Sequence, residues 1–120
     1  MGCERGEPVH LELITDGNAS TLTVLKIYNS GSTTERTLAS DERLNITDIQ
    51  ILLEAGGDFA LVADAAAAGK YIAYGSVQAQ GGVVKHFETP YSCPLGVTPK
   101  FSGAASDRNV CICEGFITKT

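Results

Sequence analysis

Apolar and polar residues alternate with a period of two along most of the chain, and Gly, Asn, Asp and Ser interrupt the alternation at short intervals. Successive side chains of an extended chain point to opposite faces, so such runs between turn formers predict strands packed on one side. A first strand is predicted over residues 9–15, where Val9, Leu11 and Leu13 alternate with His10 and Glu12 before Asp16-Gly17-Asn18 closes it. A second is predicted over 21–28. There Leu22 and Val24 share one face while Leu25 and Ile27 fall on the other, so this strand is either buried on both sides or bulged. Asn29-Ser30-Gly31-Ser32-Thr33-Thr34 is polar throughout and reads as an exposed loop tip.

The densest apolar stretch is 43–54, with Leu44 and Ile46, then Ile49, Ile51 and Leu53, and a change of phase at Thr47-Asp48. A helix from Asp48 would group Ile49, Leu52 and Leu53, but the isoleucines and Asn45-Ile46-Thr47 favour a strand. Ala55-Gly56-Gly57-Asp58 reads as a hairpin-type turn into a strand over 59–63, and Asp64-Ala65-Ala66-Ala67-Ala68-Gly69 as one helical turn. Strands over 70–80 and 83–89 flank Gly81-Gly82 and read as a hairpin. Pro90, Pro94 and Pro99 remove amide donors and mark an edge or irregular segment that crosses the domain. After the small-residue loop Ser102-Gly103-Ala104-Ala105-Ser106, the last strand is predicted over 110–118. Val110, Ile112, Glu114 and Phe116 lie on one of its faces and Cys111, Cys113, Gly115 and Ile117 on the other, both largely covered. About eight strands result, an all-β, jelly-roll-like antiparallel β-sandwich formed by one domain over residues 9–120. Residues 1–8, with Gly2, Gly6, Glu4, Arg5, Glu7 and Pro8, hold too little apolar surface to order themselves and read as an extended N-terminal arm.

Composition narrows the function. The 120 residues suit one domain, 43% are hydrophobic and only 19% charged. Nine Lys and Arg stand against fourteen Asp and Glu, a net charge of −5, and the cations are scattered, so no basic stripe exists to track nucleic acid. No apolar run reaches the roughly 18 residues that span a bilayer, and Met-Gly-Cys-Glu-Arg-Gly-Glu-Pro is no secretory signal, which predicts a soluble, unprocessed chain with reduced thiols and no membrane partner. Four cysteines, Cys3, Cys93, Cys111 and Cys113, could together ligate zinc, but Cys-Ile-Cys in a strand lacks the turn spacing of zinc sites. Free buried thiols, or a disulfide from Cys93 to Cys111 or Cys113, are the remaining readings.

No catalytic constellation is legible. His10 and His86 are isolated strand histidines, and Ser92 and Cys93 near His86 and Glu88 carry no nucleophile motif. The acid pairs Asp41 with Glu42 and Asp58 with Asp64 lack calcium-loop spacing and read as surface turns. The paired glycines follow no phosphate-loop order. Asn18-Ala19-Ser20 and Asn45-Ile46-Thr47 read as chance glycosylation triplets, and Gly6 breaks the myristoylation pattern after Met1-Gly2. A catalytic site, a cofactor and a bound metal are therefore not expected, and a structural or binding module is.

The stretch Leu38-Ala39-Ser40-Asp41-Glu42-Arg43-Leu44-Asn45-Ile46-Thr47-Asp48-Ile49-Gln50-Ile51, a polar turn leading into a core strand, resembles small jelly-roll virion proteins of tailed bacteriophages. The resemblance continues through Gly75-Ser76-Val77, Gly81-Gly82-Val83, His86-Phe87-Glu88-Thr89-Pro90, Pro94-Leu95-Gly96-Val97 and the closing strand to Gly115-Phe116-Ile117. It implies a capsid decoration (cement) protein on the outer capsid surface, a homotrimer that binds the major capsid protein without a cofactor, with Cys3, Glu4, Arg5, Glu7 and Pro8 in a contacting arm. The alternative is a trimeric receptor- or glycan-binding head of a viral fibre or spike, of the tumour-necrosis-factor type. Its ligand would meet the loop tips, Asn29, Ser30, Ser32 and Thr33 on one loop and Ser106, Asp107 and Arg108 on another. A cupin-like enzyme would need clustered histidines, which two distant histidines do not supply.

Overall fold

The phase change at Leu25 is where the chain changes sheet. The computed structural model describes residues 6–16, 22–63, 71–103 and 107–119, and among these it contains ten strands and no helix. In chain order they are β1 (Glu7–Asp16), β2 (Thr23–Val24), β3 (Lys26–Asn29), β4 (Glu35–Arg36) and β5 (Glu42–Leu53), then β6 (Gly57–Val62), β7 (Tyr71–Val77), β8 (Gly81–Ser92), β9 (Lys100–Ser102) and β10 (Arg108–Lys119). They form two antiparallel sheets, six-stranded in the order β4-β3-β1-β10-β5-β8 and four-stranded in the order β2-β9-β6-β7. Setting aside the short β3 and β4, the sets β1-β10-β5-β8 and β2-β9-β6-β7 have the jelly-roll order, so the predicted fold class holds. The two further strands, β3 and β4, widen the first sheet to six and bring the strands among the described residues to ten, against about eight expected.

Each strand boundary has a local cause. The predicted strand over 21–28 is neither doubly buried nor bulged: Thr23 and Val24 pair with β9, while residues 26–29 pair with β1 in the other sheet. Leu25, buried at the crossing, has its amide donate to the Pro99 carbonyl at 3.1 Å. In β5 the phase change at Thr47 is a β-bulge, since Ile46 pairs with Gly115 and Asp48 with Glu114, leaving Thr47 as the extra residue. The bulge lets Leu44 and Ile46 before it, and Ile49, Ile51 and Leu53 after it, all face the core. Gly115 fits there because it has no side chain; a Cβ would lie 2.0 Å from the Asn45 carbonyl oxygen.

The core lies between the inner faces. Val9, Leu11, Ile27, Leu44, Ile46, Ile49, Ile51, Leu53, Cys111, Cys113 and Ile117 come from the six-stranded sheet, and Phe59, Leu61, Ile72 and Phe101 from the other. Burial of this apolar surface is the main force holding the sheets together.

Four expectations are corrected. The 55–58 turn and the 81–82 turn are not hairpins, because β5 and β6, and β7 and β8, lie in different sheets; most successive strands of this jelly roll change sheet, β6 and β7 being paired neighbours, and a short glycine turn alone does not tell the two cases apart. Glu7 and Pro8 do not belong to an arm: both are in β1, opposite Ile117 and Phe116. The last strand is covered on one face only, Cys111, Cys113 and Ile117 being buried while Val110, Ile112 and Phe116 are half-buried. Pro90 does lie on an edge strand, in the stretch of β8 that swings away from β5 between His86 and Tyr91. The helical turn expected over 64–69, the loop residues 104–106, and Cys3, Glu4 and Arg5 lie outside the described residues.

Candidate functional site

A jelly roll offers a ligand or partner three kinds of surface: the two outer sheet faces, the free edges and the loops between strands. On the outer face of the six-stranded sheet the strand register sets side chains in rungs. One rung runs Ile14, Val110, Leu52 and Gly82; the next runs Glu12, Ile112, Gln50 and Val84; a third runs His10, Glu114, Asp48 and His86. Ile14 is 55% exposed, Leu52 39% and Val84 78%, with half-buried Val110 and Ile112 between them, so an apolar stripe crosses four neighbouring strands. A polar rung borders it. His86 Nδ1 lies 2.7 Å from Asp48 Oδ1, and Thr47 Oγ1 donates to Asp48 Oδ2 at 2.9 Å. These bonds, that of His86 first, hold the Asp48 carboxyl below its ordinary value. At the far end His10 Nε2 is 2.9 Å from Glu12 Oε1, and its ring meets Tyr28 edge-on at 5.7 Å.

The loop tips are only partly as expected. Ser30, Ser32 and Thr33 are exposed, and Ser32 and Thr33 curl over a shallow depression lined by His10, Glu12 and Tyr28. Asn29 is not a tip residue, since it ends β3 and its side-chain amide donates to the Glu7 carboxylate. Arg108 likewise belongs to a strand: it opens β10, and its backbone carbonyl accepts from the Glu54 amide at 3.0 Å. Asp107, exposed with φ of 60°, makes the turn before it, and Ser106 lies outside the described residues.

The remaining candidates are dispersed. His86 turns to Asp48, Ser92 donates to Asn45 Oδ1 at 2.8 Å, and Cys93 is buried, so His86, Ser92 and Cys93 engage separate partners. Asn45 is buried and donates to the Phe116 carbonyl, which leaves it inaccessible to glycosylation in the folded chain. Glu42 is not a surface-turn acid: it is buried, and it accepts from Arg36 at 2.7 Å and from the Ala39 amide at 2.8 Å. Arg36 also reaches Glu7 at 2.5 Å, so one guanidinium ties β4 to β1 and to the start of β5. Asp58 is exposed, and Asp64 lies outside the described residues.

Cys93, Cys111 and Cys113 are free, buried thiols, which rules in favour of that reading over a disulfide in this structure. Burial, and then the nearby Cys113, pushes the Cys93 thiol up to about 12; the Cys113 thiol is raised by its hydrogen bond with Cys111 and by burial. Neutral thiols are poor nucleophiles. In the folded protein these three should react with a disulfide reagent about a hundredfold or more slower than in denaturant. Rapid native labelling of Cys93 would contradict its burial. Substituting any one by alanine should cost about 1–3 kcal/mol through lost packing. Among the described residues no three or more His, Cys, Asp or Glu side chains gather in a way that could hold a metal ion.

The fold therefore defines an all-β jelly-roll sandwich with an exposed apolar stripe on one face. No family model, no curated protein and no solved structure matches the chain.

Proposed function

We propose that this chain is a structural virion protein: a capsid decoration (cement) protein that forms a homotrimer, binds the major capsid protein on the outer capsid surface and stabilises the head. The observation that supports the reading is the stripe of Ile14, Val110, Leu52, Ile112 and Val84, an apolar face that a lone sandwich leaves in water. Subunits meeting on that face remove it from solvent, and a flat sheet face suits a symmetric assembly. Clamping a capsid needs no cofactor, because a trimer that touches the shell at several points multiplies modest contacts by avidity.

Sedimentation velocity and native mass spectrometry at micromolar concentration are expected to show a trimer. The double substitution Leu52→Glu with Val84→Glu places carboxylates on the stripe without touching the core, and should give a folded monomer. Added to undecorated capsids, that monomer should show occupancy lower by about a hundredfold at equal concentration. An unmodified chain that is monomeric in solution and leaves such capsids bare removes the reading.

A further inference from the structure

The opposite face of the molecule, the outer side of the four-stranded sheet, carries an aromatic pair with open space above it. Tyr74 is 72% exposed and Tyr71 45%, and their rings lie 5.0 Å apart between centroids, tilted by 52°. Tyr74 stands opposite Ala60, which in turn stands opposite Ser102, while Ser76 stands opposite Asp58. Apart from Tyr71, the side chains that flank Tyr74 here, Ala60, Ser102, Ser76 and Asp58, are small or short, so the rings rise from a low floor. That floor is backed by the core, because Gly75 lets Phe59 pack to within 3.4 Å of where its Cβ would be. Two shallow depressions meet at the tyrosines. One, of about 600 Å³, is lined by Asp58, Ala60 and Ser76; the other, of about 450 Å³, runs over the free edge of β7 to Val83 and Lys85.

Two exposed aromatic faces beside a carboxylate and a hydroxyl match a ligand with one C–H face and a rim of hydrogen-bond donors. Pyranose rings have that character: their axial C–H bonds stack on the electron-rich face of a phenol ring, and their hydroxyls donate to carboxylates. A proline-rich peptide also stacks on aromatic rings, but with no amide N–H at its prolines it offers few donors to an acceptor-only group such as Asp58. We infer that the outer face of the four-stranded sheet is a carbohydrate-binding subsite, with Tyr74 and Tyr71 as the stacking platform and Asp58 and Ser76 as hydrogen-bonding partners. It does not rest on the decoration reading, since this face stays open in an assembly made through the six-stranded sheet.

The test titrates the full chain with cellohexaose, maltohexaose, xylohexaose, chitohexaose and a delipidated lipopolysaccharide polysaccharide. Calorimetry and amide chemical shifts are the readouts. At least one should bind, with shifts confined to β6, β7 and β9. Tyr74→Ala and Tyr71→Ala should each weaken that binding by about tenfold or more, Tyr74→Phe should restore most of it by keeping the ring, and Asp58→Asn should weaken it several-fold. The stripe variant Leu52→Glu with Val84→Glu should bind sugar as the unmodified chain does. The inference is overturned if none of these glycans binds, if Tyr74→Ala binds them equally well, or if a polyproline peptide shifts the same amides when no glycan does.

Discussion

Replacing Gly115 by alanine is expected to lower the thermal unfolding midpoint by about 10 °C, corresponding to roughly 3 kcal/mol lost. The new methyl group would lie 2.0 Å from the Asn45 carbonyl oxygen and 3.1 Å from the Ile46 Cα, both backbone atoms that no side-chain rotation can clear. β10 has no room to retreat, because it is held between β1 on one side and β5 on the other along almost its whole length. The strain must therefore break ladder hydrogen bonds or shift the sheet, as overpacking does in a close-packed interior. Gly31→Ala is the control: its φ is +81°, but no atom lies within 4 Å of the added methyl. It should cost only about 1 kcal/mol of backbone strain. Scanning calorimetry on the two variants decides the matter, and similar midpoints would show that the bulge yields.

Glu42→Ala is expected to cost about 2 kcal/mol, because it removes the buried carboxylate that accepts from both the Arg36 guanidinium and the Ala39 amide. Arg36 would keep Glu7 and the Thr37 carbonyl, and the Ala39 amide would lose its acceptor. Arg36→Met should cost a similar amount. The double variant Arg36→Met with Glu42→Leu should cost less than the two single changes added, since two apolar side chains leave no buried charge unpaired, while the half-exposed Glu7 keeps Asn29. The network also sets an acid limit. The Ala39 amide and then Arg36 hold the Glu42 carboxyl below its ordinary value of 4.5, so the folded state binds its proton less readily than the unfolded chain. That contribution is complete above about pH 4.5 and is lost as pH falls through the lower, folded-state value. Urea midpoints measured from pH 6 down to pH 3 should fall more steeply for the unmodified chain than for Glu42→Gln. Parallel slopes would show that another carboxyl governs acid unfolding.

The strands were legible where alternation is strict, as in β1 with Val9 and Leu11, and where it breaks for one reason, as at Thr47. Leu25 shows the limit: its phase change fits a bulge or a change of sheet equally well, and only the partners of the flanking residues separate the two. Gly81-Gly82 fails for the same reason, since β8 pairs with β5 over a long sequence separation that no local pattern encodes. Glu42 looked like a turn acid because its partners, the Ala39 amide and Arg36, lie three and six residues away in a local turn, while its burial depends on how that turn packs on the sheet. The apolar stripe was half visible. The last strand carried apolar residues on both faces, but which face remains in water depends on where the second sheet packs. The tyrosine pair had a faint trace, two aromatics three residues apart around Ile72, a spacing that the irregular pairing of β6 with β7 turns into a shared face.

Thr47 gives β5 the equivalent of a spare letter in a reading frame of two. Removing one residue after Ile49 would turn over the part of the strand that follows the gap and send its core side chains outward. Removing Thr47 itself would leave Ile46 followed by Asp48 and Ile49, with each still on its present side. Single-codon deletions scanned along this strand should therefore be tolerated best at Thr47 or Asp48, either of which leaves Ile46 and Ile49 two residues apart, and the surviving chains would mark the position of the bulge without any structure being solved.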